Sequence, residues 1–364
     1  MKKLLVSAFL LCAFNGAIYA EDGFTVSNVD LELGGDEETC FTVSLSGETI
    51  YTAFNMDIYL PDGIEVTMTD GDYDVYMNYD DDVYPYTGKG NNKTYKHSFG
   101  VEFHADETGR YLRIACTSNS NADFKKTSGA LFDVYVKATN YCKPGTAEMS
   151  FSGLNLTKNN GEEDPIKYVP ADFVSDAITV GNACSISINI TAANQFATCI
   201  LPFAVVELPE GLKAYSALTA ADGFVNLTEA DGVEAYKPYI LYAENGFSGT
   251  LGGTVDENLY VTSATEGVLT GLIVAQNVSD GYILQNKGEE TMFYKVGETP
   301  FALPAGKCYM SLLSNAAGYR FRIDTTNIEI PVFEADDSAY DVQGRPMTET
   351  QGLRIVNGTK VFRK

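Results

Sequence analysis

Apolar residues recur at every second position along this chain, in short runs. "CFTVSLS" puts Phe41, Val43 and Leu45 on one face and Cys40, Thr42 and Ser44 on the other. "RYLRIACT", "GALFDVYVKA", "AEMSFSGL", "SISINIT", "PYILYAENG" and "GYILQNKG" behave in the same way. A period of two is the signature of a strand with one buried face. "PDG", "DETG", "KPG" and "NNG" fall between the runs, at the intervals of antiparallel sheets. Long amphipathic helical patterns are missing, so the expected class is all-β: a jelly-roll β-sandwich, a second antiparallel β-domain and a short terminal hairpin.

Breaks in this pattern divide the chain. Lys2 and Lys3, a short apolar run and small residues ending at Ala20 predict a secretory signal peptide over 1–20, cleaved near Ala20. Cys12 lacks the small residues of a lipid-attachment site before it. No later apolar stretch reaches the roughly 18 residues of a membrane-spanning helix. The expected product is therefore exported, either secreted or held at the cell surface. The sandwich is placed at 21–181 and the second β-domain at 182–325. A linker is expected at 326–339, in the acidic, proline-containing "DTTNIEIPVFEADDSAYD", and a tail at 340–364.

Charge narrows the partners. The formal net charge is −24, and removal of Lys2 and Lys3 makes it −26. Such a surface repels phosphate backbones and excludes nucleic acid as the expected partner. An apolar content of 45% is that of a globular protein, so the acidity belongs to the surface. Cys40, Cys116, Cys142, Cys184, Cys199 and Cys308 remain after processing, without the spacing of a zinc site. At most one or two disulfides are expected, and Cys116 and Cys308, inside strand patterns, read as buried free thiols.

Several segments resemble known families. "LELGGDEETCFTVSLSGETIYTAFNMDIYLPDGIEV" and "YLRIACTSNSNADFKKTSGALFDVYVKA" resemble a cohesin-like domain of secreted Bacteroidetes proteins, over about Phe24 to Val180. That resemblance implies a sandwich related in fold to cellulose-binding modules, with dockerins as partners in cellulosomes. The stretch from "ITAANQFATCILPF" to "LPAGKCYMSLL" resembles an uncharacterised β-domain of similar secreted proteins. "AYDVQGRPMTETQGLRIVNGTKVFRK" resembles the C-terminal tail of Bacteroidetes exported proteins, through Tyr340, Asp341, Gln343, Gly344, Arg345, Gly352, Ile355, Val356, Gly358 and Lys360. Longer relatives of that tail act as sorting domains.

Catalytic chemistry is thinly represented. His97 and His104, in "HSFGVEFH", are seven apart and so point to opposite faces of a strand. No G-x-S-x-G motif accompanies them, no glycine-rich loop has a phosphate-cradle context, and no carboxylate pair stands out. The chain reads as a non-enzyme. Its six Asn-x-Ser/Thr sequons read as chance, and Thr325 and Ser338 as O-glycosylation candidates.

"DGDYDVYMNYDDDVYPY", Asp70 to Tyr86, carries most of the remaining chemistry. Asp70, Asp72, Asp74 and Asp81 match positions 1, 3, 5 and 12 of a calcium loop, but Val75 stands where the tight turn needs glycine and no helix follows, so a dockerin-type loop is rejected. The first half reads as a strand, with Tyr73, Val75 and Met77 on one face. The second half reads as an exposed loop whose Tyr79, Asp80, Asp81, Asp82, Tyr84 and Tyr86 form a contact surface: tyrosine faces for sugar rings, or Asp80, Asp81 and Asp82 for calcium, the one cofactor left open. The absence of tryptophan counts against the sugar reading. The expected function is a non-catalytic binding module for a polysaccharide or a surface protein; the alternative is a structural component of the cell surface.

Overall fold

The computed structural model describes residues 22–35, 39–79, 82–106, 109–161, 165–287, 290–312, 314, 316–323, 352–356 and 359–363. Its first part is built from β1 (Gly23–Val26), β2 (Val29–Leu31), β3 (Thr39–Ser46), β4 (Ala53–Tyr59), β5 (Ile64–Val66), β6 (Met68–Thr69), β7 (Asp72–Tyr73), β8 (Val75–Met77), β9 (Tyr86–Thr87) and β10 (Thr94–Tyr95). The long strands β11 (His97–Asp106), β12 (Gly109–Ser118), β13 (Gly129–Ala138) and β14 (Gly145–Lys158) follow, then β15 (Ile166–Tyr168) and β16 (Phe173–Val180). One sheet runs β1-β3-β13-β5 with β8 also on β13; the other runs β11-β12-β4-β14-β16-β2 with β15 also on β14.

Alternation explains why the two sheets face each other. Phe41, Val43 and Leu45 of β3 are buried, as are Phe54, Met56 and Ile58 of β4 and Leu112, Ile114 and Cys116 of β12. Burial of each such side chain contributes about 1.5–3 kcal/mol. Phe54 stacks on Phe132 across the gap between the sheets, with ring centroids 5.9 Å apart. The pattern bends at bulges. In β13 the register shifts between Ala130 and Phe132, so Leu131 and Phe132 are both buried. In β14 it shifts between Ser152 and Asn155, where Gly153 takes φ +60 and its carbonyl accepts from Asn55 Nδ2 at 2.8 Å.

Residues 183–323 continue as strands. Ala183–Ile190 pairs with Phe247–Thr254, and a ten-stranded sheet has Phe196–Ile200 at one edge, Gly318–Ile323 in its middle and Ser263–Glu266 at the other edge. The hydrophobic core is continuous from Phe41 and Phe54 through to Ile186 and Phe203. At the join Tyr260 donates to the carbonyl of Tyr141 at 3.4 Å and the Cys184 thiol to that of Asn140 at 3.3 Å. The described residues up to Arg322 thus form one compact unit. The separate C-terminal unit contains an antiparallel hairpin, Gly352–Val356 with Thr359–Arg363. Among the described residues two three-residue 3-10 turns interrupt the strands, and no helix is long and apolar enough to cross a membrane. The six cysteines among the described residues are free thiols; Cys116 and Cys308 are buried, as expected, and Cys40 is half-buried.

Candidate binding site

The acidic–aromatic stretch divides differently from its sequence pattern. Asp70 and Gly71 form a two-residue turn between β6 and β7, with φ of +55 and +96. That is the left-handed pair a type I′ hairpin requires, and Asp-Gly supplies it well. Asp70 is thus a turn residue and Asp72 opens β7, paired with Thr69. Asp74, expected on the outer face, is buried and accepts from the Tyr76 hydroxyl at 2.7 Å. Val75 and Met77 are buried on β8 as expected, while Tyr76 is 52% exposed.

The greatest departure is Tyr84, expected on the contact surface. It is fully buried, as is Val83. Its hydroxyl donates to the Leu131 carbonyl at 2.8 Å, and its ring meets Phe124 edge-on at 5.6 Å and His97 at 5.6 Å. Burial drives its phenol pKa well above the ordinary value. Tyr84 is a core residue and has no face to offer a ligand. The physical reason is that Val83-Tyr84 turns inward, so that the Tyr84 ring packs between Leu131 of β13 and Phe124 of the 122–128 loop. Lys125 N–H fixes that loop by donating to the Val83 carbonyl at 2.8 Å.

The surface that remains is built by the small β9/β10 hairpin. Tyr86 and Tyr95 are cross-strand partners, with rings edge-to-face at 5.6 Å. Tyr79, 40% exposed, stacks on Tyr95 with centroids only 3.8 Å apart. Two ammoniums lie over the Tyr86 ring: Lys93 Nζ at 4.3 Å and Lys125 Nζ at 4.0 Å from its centroid. Asp82, exposed and at φ +57, reaches Lys125 at 3.6 Å. Of the six residues expected to form the surface, the fold brings together Tyr79, Tyr86 and Asp82 and removes Tyr84. Asp80 and Asp81, and with them two of the three carboxylates of the calcium expectation, lie outside the described residues, as do Thr325 and Ser338. Among the described residues no group of three or more His, Cys, Asp or Glu side chains could hold a metal ion.

A second surface was not visible in the sequence. The outer face of β11, β12, β4 and β14 carries small or uncharged residues at its centre. Gly100, Ala115, Asn55 and Asn155 fall in one cross-strand row. In a chain with 49 acidic residues, the neighbouring row carries Glu102, Arg113 and Asp57. Arg113 there bonds Asp57 through Nε and Nη2, each at 2.8 Å, which raises its own pKa. A third row aligns rings: His104 stacks on Tyr111 at 4.9 Å, and Tyr111 lies 4.9 Å from Tyr59. His104 Nε2 is 3.4 Å from Glu102. His97 points to the other side of the same strand, is buried, and stacks on Phe124 at 4.7 Å with Nε2 at 2.9 Å from the Thr52 carbonyl. The two histidines are thus on opposite faces, as their spacing predicts. Only registry among three strands, which no local motif encodes, could have revealed the aromatic row.

No protein-family model matches this chain, and no curated protein matches it. Solved structures similar to it include a type I cohesin in complex with a dockerin from Clostridium thermocellum (11% identity, 43% of this chain and 92% of that chain, TM-score 0.29). Others are the sixth cohesin of scaffoldin B from Acetivibrio cellulolyticus with a Cel5 dockerin (15%, 44% and 98%, TM-score 0.30) and a non-cellulosomal cohesin from the archaeon Archaeoglobus fulgidus (14%, 43% and 90%, TM-score 0.27). Likeness at that level carries no argument about what this chain binds; the sandwich stands on its own strand pairing.

Proposed function

We propose that this chain is a non-catalytic, exported binding module that holds a protein partner at the cell surface on the outer face of β11, β12, β4 and β14. The observation that supports this reading is the composition of that face. Its centre is depleted of charge in an otherwise acidic molecule, and it is flanked by half-buried Tyr59 and an ordered Arg113, with Tyr111 buried beneath His104 and Arg113. Depletion of charge at the core with Tyr and Arg enriched is the pattern of protein interfaces. Free catalytic groups are scarce beside it: His97 is buried on a structural bond, and His104 is stacked and beside Glu102.

The test is a photo-crosslinking residue at position 115 in the cells that make the protein. A discrete protein adduct at 115, absent from the Asn55→Arg variant and from a crosslinker at the exposed position 219, supports the reading. Adducts indifferent to Asn55→Arg would defeat it.

A further inference from the structure

We propose that the β9/β10 corner is a subsite for an acidic polysaccharide, in which Lys93 and Lys125 take carboxylate or sulfate groups and Tyr79 stacks on a sugar ring. This rests on the reading of the chain as a binding module, but it uses a different surface and a different ligand class. Residues 79–97 and 122–128 hold five lysines (Lys89, Lys93, Lys96, Lys125, Lys126) against four aspartates (Asp80, Asp81, Asp82, Asp123). These two segments carry one net positive charge in a chain of net charge −24. One of those aspartates is already engaged, since Asp123 accepts from the Thr52 hydroxyl at 2.8 Å.

Charge alone does not make a site; the arrangement does. Lys93 and Lys125 come from segments about thirty residues apart, yet both ammoniums lie within 4.3 Å of one ring centroid. The quadrupole of the Tyr86 ring attracts each of them and so offsets part of their mutual repulsion. Two ammoniums gathered at one ring offer a spread anion two cationic contacts at one place. Lys93 has no carboxylate partner among the described residues, and Lys125 has only the half-exposed Asp82. Beside them the Tyr79 ring is backed by Tyr95 at 3.8 Å and remains 40% exposed, which leaves ring surface for C–H groups of a pyranose. Three rings and two ammoniums make a footprint for one or two sugar residues, well short of the roughly 1,000 Å² that a stable protein interface requires. At 0.1 M salt the Debye length of about 10 Å screens the acidic remainder of the surface from a chain bound at this corner.

The experiment is affinity electrophoresis of the purified mature protein through gels containing polygalacturonate, amylose or poly-glutamate at 0.1 M salt. Polygalacturonate alone should retard it. Lys93→Ala or Lys125→Ala should each weaken retardation about threefold, and the pair roughly tenfold. Tyr79→Ala should cost about fivefold. Asp82→Asn, by removing a competing carboxylate, should strengthen binding about twofold. Thermal unfolding midpoints of these surface variants, unchanged within a few degrees, separate lost binding from lost fold. Absence of retardation by polygalacturonate, equal retardation by poly-glutamate, or indifference to the double lysine variant would each overturn the proposal. Ala115→Arg must leave polygalacturonate binding intact; loss there would place the glycan on the sheet face instead. If only polygalacturonate binding fails while the adduct at position 115 persists, this inference falls and the protein-binding reading stands.

Discussion

Replacing Tyr84 separates a core residue from a contact residue more sharply than any other change. Two variants remove different things. Tyr84→Phe deletes one hydrogen bond, the 2.8 Å bond to the Leu131 carbonyl. That carbonyl also accepts from the Asn78 N–H at 2.9 Å, so it is not left without a partner. The cost should therefore be that of one net hydrogen bond, about 0.5–1.5 kcal/mol. Tyr84→Ala removes a fully buried ring from contact with Phe124, His97 and Tyr79 and leaves a cavity among them. Large-to-small changes of an aromatic core residue cost about 3–5 kcal/mol. The assay is urea unfolding followed by far-UV circular dichroism, read as the shift in midpoint at unchanged slope. Tyr79→Ala, on the same stretch but exposed, should cost less than about 1 kcal/mol beyond its stack on Tyr95. The reasoning fails if Tyr84→Ala unfolds within about 1 kcal/mol of the unaltered protein, because then the ring would be at the surface, as its sequence context suggests.

Other consequences follow from burial. His97 has its pKa lowered, first by burial, against the raising effect of bonds to the Thr52 and Ala122 carbonyls. The unfolded chain then binds the proton more readily, so this group's contribution is intact above about pH 6.5 and declines as pH falls below it. The slope from this one group is at most about 1.4 kcal/mol per pH unit, and His97→Gln should flatten it in urea titrations between pH 5 and 7; an unchanged slope would put the pH dependence elsewhere. Burial pushes the Cys116 and Cys199 thiols up to about 12 and Cys184 to about 11. In the native protein at pH 8 only half-buried Cys40 should react promptly with iodoacetamide, and all six should react in guanidinium; a denatured count of four would reveal a disulfide. Ala115→Arg, on an exposed strand position, should move the unfolding midpoint by less than about 0.5 kcal/mol while abolishing partner binding.

How far the sequence carried the fold can be seen strand by strand. "CFTVSLS" buries Phe41, Val43 and Leu45, the face its alternation predicts, because β3 is regular and paired on both sides. "GALFDVYVKA" hides two adjacent residues, Leu131 and Phe132, because a bulge adds one residue to the pleat. No local pattern marks where a partner strand will slip. The same limit explains Tyr84. Its tyrosine-rich, aspartate-flanked context reads as solvent-facing, while the groups that bury it, His97, Phe124 and Leu131, lie 13 to 47 residues further along the chain. Tyr79 and Tyr86 were legible as surface aromatics; that Lys93 and Lys125 would converge on Tyr86 was not, since the lysines come from different loops. The opposite orientation of His97 and His104 was legible because it needs only the period of one strand.

The most direct test of the binding-module account begins with the protein crosslinked at position 115, purified and titrated against the isolated chain by calorimetry. The account predicts saturable one-to-one binding, weakened at least tenfold by Ala115→Arg and unchanged by the double replacement of Lys93 and Lys125 with alanine. Binding that survives Ala115→Arg, or is lost with the lysines alone, would contradict it.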